Sequence, residues 1–438
     1  MTSLRARRLV LEISLPYGRT STRISIPDGN FAGLIKPRDI SGEDIAGGLE
    51  RALNEPAGDS LESISRNRET CVLIEDDTRA EPHDEIISAI ATRIGGASSV
   101  TFVVTTGSHD HGTPGNRRIM ESIRAAAGKN GLELEGVHIN DCFSGDFVDL
   151  GRTSRGTSLR VNPAAMGAEL YVVGADMKNH YFAGYSNALK DFLPGICAYE
   201  SIEGNHSWAL DPRSTFGVHP LHPEPGRRDN PLAKDMLEAQ EMITSDAPVF
   251  VLGTICSHEK LLWAGAGELK SVTMDGIGAV DDLSSFTVER TSHAIVSPGG
   301  YPQDESLYHA QRGLELTKNA VNDGGSVLLL AECENGIAPN QKARENFYDR
   351  LTRPLDEVLA SISQEYELYS HKAYKFAEMM RRLRAIHIHS GLGRDIVEGA
   401  HFLGTDDPQV VVDGWIEEDP GARIRVFDDA NKIAVYGI

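Results

Sequence analysis

Nowhere do the 438 residues run to the ~18 consecutive apolar positions that a membrane-spanning helix requires. Arg5, Arg7 and Arg8 imitate the start of a signal peptide. The apolar run Leu9-Val10-Leu11 is cut at once by Glu12, so no hydrophobic region follows. Cysteine is sparse as well. Cys71, Cys142, Cys197, Cys256 and Cys333 are scattered, odd in number and never in CxxC spacing, which excludes a disulfide framework or structural zinc site and points to the cytosol. Positive charge is in deficit, with 43 Lys and Arg against 64 Asp and Glu and a formal net charge of −21. Without a basic run, such a chain repels nucleic acid and anionic lipid alike. Neither GAG at Gly265 nor GIG at Gly276 extends to GxGxxG, so a dinucleotide fingerprint is absent.

What is present is a globular composition, 40% hydrophobic and 24% charged, in a chain long enough for two or three domains. Leu9 to Pro27 reads as a hairpin about Tyr17-Gly18, and RIRVFDDANKIAVYGI at the C-terminus as another. Between them, apolar strand-like runs alternate with helical segments. Cys71–Asp77, Ser99–Gly107, Val137–Asp141, Ala168–Asp176 and Pro248–Ile255 are strands, while Pro82–Ile94 and Pro114–Lys129 are helices opened by proline. A second series starts at HAIVSPGG (His293–Gly300) and continues through a helix from Asp304 to Asn322 and strands at Ser326–Glu332 and Ala385–Gly391. The alternation predicts an α/β fold with parallel or mixed sheets, whose ligand crevices lie beyond the carboxyl ends of the strands. The expected division is residues 1–285, rejoined by 422–438, and residues 286–421. Asp211 to Asn230 reads as a long loop.

Four constellations carry the candidate chemistry. DDTR (Asp76–Arg79) ends a strand and offers a guanidinium fork to an anion. TGSHDH (Thr106–His111) ends another, with His109 and His111 able to chelate a metal or exchange protons. NHYFAGYSNALKDFLPGI (Asn179–Ile196), followed by ESIEGNH, spaces His180, Lys190 and His206 ten and then sixteen residues apart. A lysine among apolar neighbours becomes reactive when desolvation lowers its pKa. GGYPQDESLYHAQRGL (Gly299–Leu314) sets His309 and Arg312 on one helix face. Each alone has an ordinary structural explanation: a capping Asp, a structural histidine pair, a snorkelling lysine, a solvated helix face. HPLH (His219–His222), HIH (His387–His389) and the sequon Asn205–Ser207 are read as incidental.

In this order the four constellations resemble the lactate racemase family, the nickel-pincer-nucleotide enzymes. The pattern is D-x-T-R, then T-G-S-H, then N-H-x-F-A-G-Y-S-x-x-x-K-x-x-L-P-G-I and a downstream N-H, across roughly Asp76 to Arg312. The resemblance implies two α/β domains with an active-site cleft between them. It makes Lys190 the covalent attachment point of the cofactor, a pyridinium-3,5-bisthiocarboxylic acid mononucleotide nickel complex, and His206 the protein ligand of square-planar nickel. Asp76 and Thr78 lie against the cofactor, His109 and His180 are the acid–base pair, and Arg79 clamps the substrate carboxylate. His309 and Arg312 stand where substrate contacts are found. Implied partners are a 2-hydroxy acid and the proteins that make and deliver the cofactor.

The hydrogen on C2 of a 2-hydroxy acid is too weakly acidic for histidine to remove as a proton, so inversion there needs a hydride acceptor. The sequence departs from the racemase pattern in three places. Ser186-Asn187-Ala188 replaces Ser-Gly-Gly, His309 and Arg312 replace Gln and Lys, and Asp110 replaces Arg. These predict a racemase or 2-epimerase for a substrate larger or more polar than lactate. The alternatives are a non-catalytic anion carrier on the same fold and a metal-dependent hydrolase using His109 and His111.

Overall fold

A computed structural model describes residues 10–79, 81–257 and 260–438; the arginines at 5, 7 and 8 and Leu9 lie outside the described residues. The chain forms two α/β units, one of residues 39–283 and one of 1–38 with 284–438. These units differ from the expected division at both termini. Phe31–Ile35 pairs in parallel with Ile424–Phe427, and Ala434–Gly437 with Ser285–Val288, so both ends are hydrogen-bonded into the second unit. The same pairings overturn the C-terminal hairpin. A left-handed residue at Asp429 (φ 52°) and a 3-10 turn at Ala430–Lys432 send the two strands into different sheets. The hairpin Val10–Tyr17 with Thr20–Pro27 forms as expected, turning at Gly18.

The 39–283 unit holds a six-stranded sheet in the order Lys260–Glu268, Val249–Ser257, Leu170–Asp176, Glu69–Glu75, Ser99–Thr105, Leu134–Ile139. All neighbours are parallel except the first pair. Cys71–Ile74 and Phe102–Val104 are buried on both faces, which is why they read as unbroken apolar runs without alternation. Ile86, Ile87 and Ile90 of the helix His83–Arg93 close one face over Val72, Ile74, Phe102 and Val172. The helix Pro114–Asn130 is capped by the Thr113 side chain and stopped by left-handed Gly131, as its proline start and Gly end require. The chain runs outward from Glu69–Glu75 through two strands and then returns to its other side as Leu170–Asp176. That reversal creates a switch point at the carboxyl ends of these two strands.

The other unit has a six-stranded, all-parallel sheet in the order Leu403–Gly404, Ala385–His389, Val321–Leu330, Thr291–Val296, Ile424–Phe427, Phe31–Ile35. Its helix Leu307–Thr317 follows the switch-point strand Thr291–Val296 and is shorter than expected, because the chain enters the next strand at Val321. Among the described residues no helix is long and apolar enough to cross a membrane.

Candidate active site

In the 39–283 unit, three adjacent strand ends supply the chemistry. The turn after Glu69–Glu75 carries Asp76, Thr78 and Arg79. Asp76 is 1% exposed and serves as a hub: its Oδ1 accepts from Thr78 Oγ1 (2.6 Å) and its Oδ2 lies 2.7 Å from His109 Nδ1 on the next turn. Burial alone would raise this carboxyl. The charge and hydrogen bond of His109, then Arg79 and Thr78, outweigh burial and hold it well below the usual carboxylate range. An ionised Asp76 accepts Nδ1–H of His109, which leaves Nε2 as the nitrogen for proton exchange. His109 itself is 41% exposed, open to a small molecule.

After Leu170–Asp176 the chain makes a short ribbon, Lys178–His180 against Gly184–Ser186. Gly184 sits at φ +81° with a Cβ position 2.0 Å from the Val218 carbonyl oxygen, so no side chain fits there. The turn lets the Ala183 amide donate to His180 Nδ1 (3.2 Å) and brings His180 Nε2 to 3.1 Å from Lys190 Nζ. His180 is thus held by the Ala183 amide at one ring nitrogen and faces the Lys190 amine at the other, while His109 on the neighbouring turn is held by Asp76.

Phe182 stands edge-on to both His180 and His206, at ring separations of 4.4 and 5.3 Å. His206 lies on the helix Tyr199–Ser207. Burial, then the charges of Lys190 and His109, push its imidazole down to about 3, so it is neutral near pH 7, the form that binds a metal. That helix is pinned by Asn205, whose Nδ2 donates to Leu232 O (3.2 Å) and Asp235 Oδ2 (2.9 Å). Asn205 is fully buried, so the sequon is structural.

Arg79 Nε lies 3.3 Å from Glu75 Oε1. Burial would lower its pKa, but Glu75, Asp76, Asp176 and Asp191 together raise it. It also lines a cavity of about 500 Å³ with Asp77, Glu81, His83 and Arg118. The carboxylates around it escaped the sequence reading. Glu75, Glu81 and Asp176 bring oxygens within 4.8 Å of one another. Burial and the neighbouring Glu75 keep Glu81 protonated well above the ordinary range, while Lys178 pairs with Asp176. Asp191, next to Lys190, is likewise raised by burial and by Glu75, and accepts from Thr105 Oγ1 (2.7 Å). Asn116 was also missed. Its Oδ1 accepts from the Asp77 amide (3.0 Å) and its Nδ2 donates to Asp110 O (3.1 Å), locking two site turns together. The acidic ends of the apolar strands and the Thr113-Pro114 helix start were the available signals.

Asp110 faces its own turn, accepting from the Gly112 amide. His111 turns away from His109, its Nδ1 3.6 Å from Asp141. Among the described residues, the carboxylate trio is the one cluster of three metal-type ligands, and it contains neither histidine. Asn187 caps the Leu189 amide (2.9 Å) and approaches His219 Nε2 (3.1 Å), which accommodates Ser-Asn-Ala before Lys190. His309 and Arg312 belong to the other unit. Ser306 Oγ lies 2.8 Å from His309 Nδ1, and Glu305 Oε1 3.4 Å from it.

His219 and His222 prove structural. His219 is 1% exposed and pushed by burial, then by His222, from 6.5 to about 3, and His222 approaches Asp281, which also holds Arg227 and Tyr185. Because the unfolded chain binds the His219 proton more tightly than the folded one, stability is greatest above pH 6.5. It should fall as pH drops toward 3, with a slope approaching about 1.4 kcal/mol per pH unit from this residue. Denaturant titrations of wild type and His219→Gln from pH 7 to 4 check this: the variant should show a shallower acid decline, and parallel curves would refute it.

The parallel sheets with switch points, and two histidines and a lysine brought together at the strand ends, define an α/β protein with the side chains for acid–base chemistry. Comparison with known proteins narrows the class. Residues 17–217 match the lactate racemase N-terminal domain and residues 287–404 the lactate racemase C-terminal domain. The chain belongs to the lactate racemase family and is an enzyme of the racemase (isomerase) type. Lactate racemase of Thermoanaerobacterium thermosaccharolyticum is 27% identical over 339 residues, covering 74% of this chain and 75% of that protein. Lactate racemase of Lactiplantibacillus plantarum is 24% identical over 449 residues, covering 97% and 100%. The lactate racemase apoprotein structure from T. thermosaccharolyticum superposes with a TM-score of 0.83 at 22% identity, over 97% of this chain and 100% of that one. A Thermotoga maritima crystal structure shares the fold at a TM-score of 0.65 and 14% identity, over 90% and 99%.

Proposed function

We propose that this racemase inverts C2 of a 2-hydroxy acid larger or more polar than lactate, using a nickel-pincer nucleotide tethered at Lys190. The observation that carries the reading is the gathering in one unit of His109, held by Asp76, and His180, beside the Lys190 amine. The donor set fits the cofactor. Lys190 is a nucleophilic amine and His206 a neutral imidazole, a nitrogen ligand suited to Ni(II). Asp76 and Thr78 complete the turn beside them.

When bound, the cofactor supplies the hydride acceptor that no side chain provides. The chain's residues do the rest. Arg79 holds the substrate carboxylate, exchanging part of its pairing with Glu75 for a charge-assisted bond of the same kind. His109 takes the hydroxyl proton at Nε2 while Asp76 stabilises the imidazolium so formed. His180, as the imidazolium, gives a proton to the carbonyl oxygen of the planar 2-keto acid for return from the opposite face and is left neutral, and the reverse reaction exchanges the two roles. In the same reading, His309 and Arg312 contact the substrate: Arg312 keeps the positive charge of the family's lysine and adds a planar fork, while a histidine replaces an amide. The protein acts in the cytosol, which suits its five free cysteines, and depends on the proteins that make and deliver its cofactor.

Two measurements test this. Intact mass and nickel content, on protein from a host with the cofactor pathway, should show one covalent adduct and about one nickel per adduct. A panel of enantiopure 2-hydroxy acids, followed by chiral chromatography, should then give its highest kcat/KM on a sugar acid or dicarboxylic hydroxy acid. One good charge-assisted bond is worth about 1.5–3 kcal/mol, roughly a ten- to hundredfold preference. If lactate ranks first, the substrate reading is wrong.

A further inference from the structure

Asn116 is fully buried in the first turn of the helix Pro114–Asn130, in the same unit as Asp76 and His109. The ladder between the strands Glu69–Glu75 and Ser99–Thr105 ends where Glu75 stands opposite Thr105. Asp76 and His109 lie past that end. Each sits in a turn closed by its own backbone bond, Arg79 N–H to Asp76 O (3.1 Å) and His109 N–H to Thr106 O (3.0 Å). Strand pairing therefore does not fix the 2.7 Å contact between Asp76 Oδ2 and His109 Nδ1, and a reacting constellation must be held to within about 0.5 Å. Asn116 spans the gap. Its Oδ1 accepts from the amide of Asp77, the residue after Asp76 (3.0 Å). Its Nδ2 donates to the carbonyl of Asp110, the residue after His109 (3.1 Å), with a longer reach to His111 O (3.5 Å). A side-chain amide supplies acceptor and donor at once, whereas an ionised carboxylate of the same shape supplies only acceptors.

The helix start is shaped to receive the turn. The Thr113 hydroxyl accepts from the Asn116 amide (3.1 Å) and donates to Asp77 Oδ2 (2.8 Å), joining cap and turn. A Cβ at Gly115 would lie 2.0 Å from Asp77 Oδ2 and 2.4 Å from Asp77 Cβ, so glycine is what lets the turn rest directly on the helix. A helix of 17 residues is a more precise support than a loop. We propose that Asn116 is the positioning residue of the Asp76–His109 pair, holding the ring proton of His109 on Nδ1 and so leaving Nε2 to exchange a proton with the substrate hydroxyl. The purpose of that arrangement rests on the racemase reading. Which ring nitrogen carries the proton is set by the bond made at Nδ1, and Asn116 governs that bond through the peptide that follows each partner. With the bridge gone, the two turns move independently, the contact lengthens and the proton distributes between both nitrogens.

The experiment is nitrogen-15 NMR of the histidine rings in the full-length, cofactor-free chain. It is run in alkaline buffer, where imidazoles are neutral, with His109 assigned by the signals that His109→Gln lacks. Wild type should carry the His109 proton on Nδ1. Asn116→Ala should lower that Nδ1–H population at least about twofold. Asn116→Asp, of the same shape but without the donor, should do the same and takes its place if the alanine chain does not fold. Thr113→Ala removes the cap but keeps the bridge, so it should lower the thermal midpoint and leave the proton on Nδ1. A wild-type ring proton in folded Asn116→Ala or Asn116→Asp overturns the proposal. So does an equal displacement in Thr113→Ala, which would make the effect one of helix stability, or a wild-type chain with the proton on Nε2. Because the ring proton is read without cofactor or turnover, this result stays distinct from the racemase reading, whose failure would appear as a missing adduct and no C2 inversion.

Discussion

Lys190→Ala is expected to yield a folded chain with no covalent adduct and no racemase activity, even from a host that makes the cofactor. The effect should be the largest of any single substitution. Without a hydride acceptor, nothing in the chain activates a C2–H bond, and the rate should drop by at least about 10⁶-fold, to the uncatalysed background. Lys190 reaches its place through the ribbon at Lys178–Ser186 and a bond from its own amide to Asn187 O (2.9 Å). Its side chain can therefore be truncated without disturbing the turn. Intact mass spectrometry decides the matter: an adduct retained on the alanine variant would move the tether elsewhere. Lys190→Arg separates charge from chemistry, since a guanidinium keeps the cation but is not the required nucleophile, and it should be equally inactive.

His109→Ala and His180→Ala should each lower kcat by roughly 10²–10⁴-fold, the usual worth of a positioned acid–base group, with cofactor loading preserved. Asp76→Asn should lose activity through His109 without touching it. An amide cannot hold Nδ1–H as a carboxylate does, so the imidazolium loses its support and the tautomer its anchor. Substrate deuterated at C2, run from each enantiomer, gives a further check. With one histidine gone, the isotope effect on kcat should change unequally from the two sides, because each histidine serves one face. Near wild-type rates in both directions for either alanine variant would make that histidine structural.

Much of this fold was legible before any coordinate. Cys71–Ile74, Phe102–Val104 and Tyr171–Val173 are buried on both faces, so the need to cover them leaves unbroken apolar runs, and helix starts at Pro114 and stops at Gly131 follow from backbone chemistry alone. The motif residues were legible too, because side chains at the carboxyl ends of parallel strands must be small, polar or charged wherever a ligand enters. Sequence by itself thus determined the α/β class, the family and the residues to examine. Only tertiary structure decided the rest, because local pattern carries no information about partners. The termini read as local hairpins or as parts of the first domain, yet strand pairing takes Phe31–Ile35 to Ile424–Phe427 and Ala434–Gly437 to Ser285–Val288, 393 and 149 positions away. His219 and Asn116 look unremarkable in the chain. Burial sets the protonation of the first and hydrogen bonding the contacts of the second, and both depend on segments that only folding brings together.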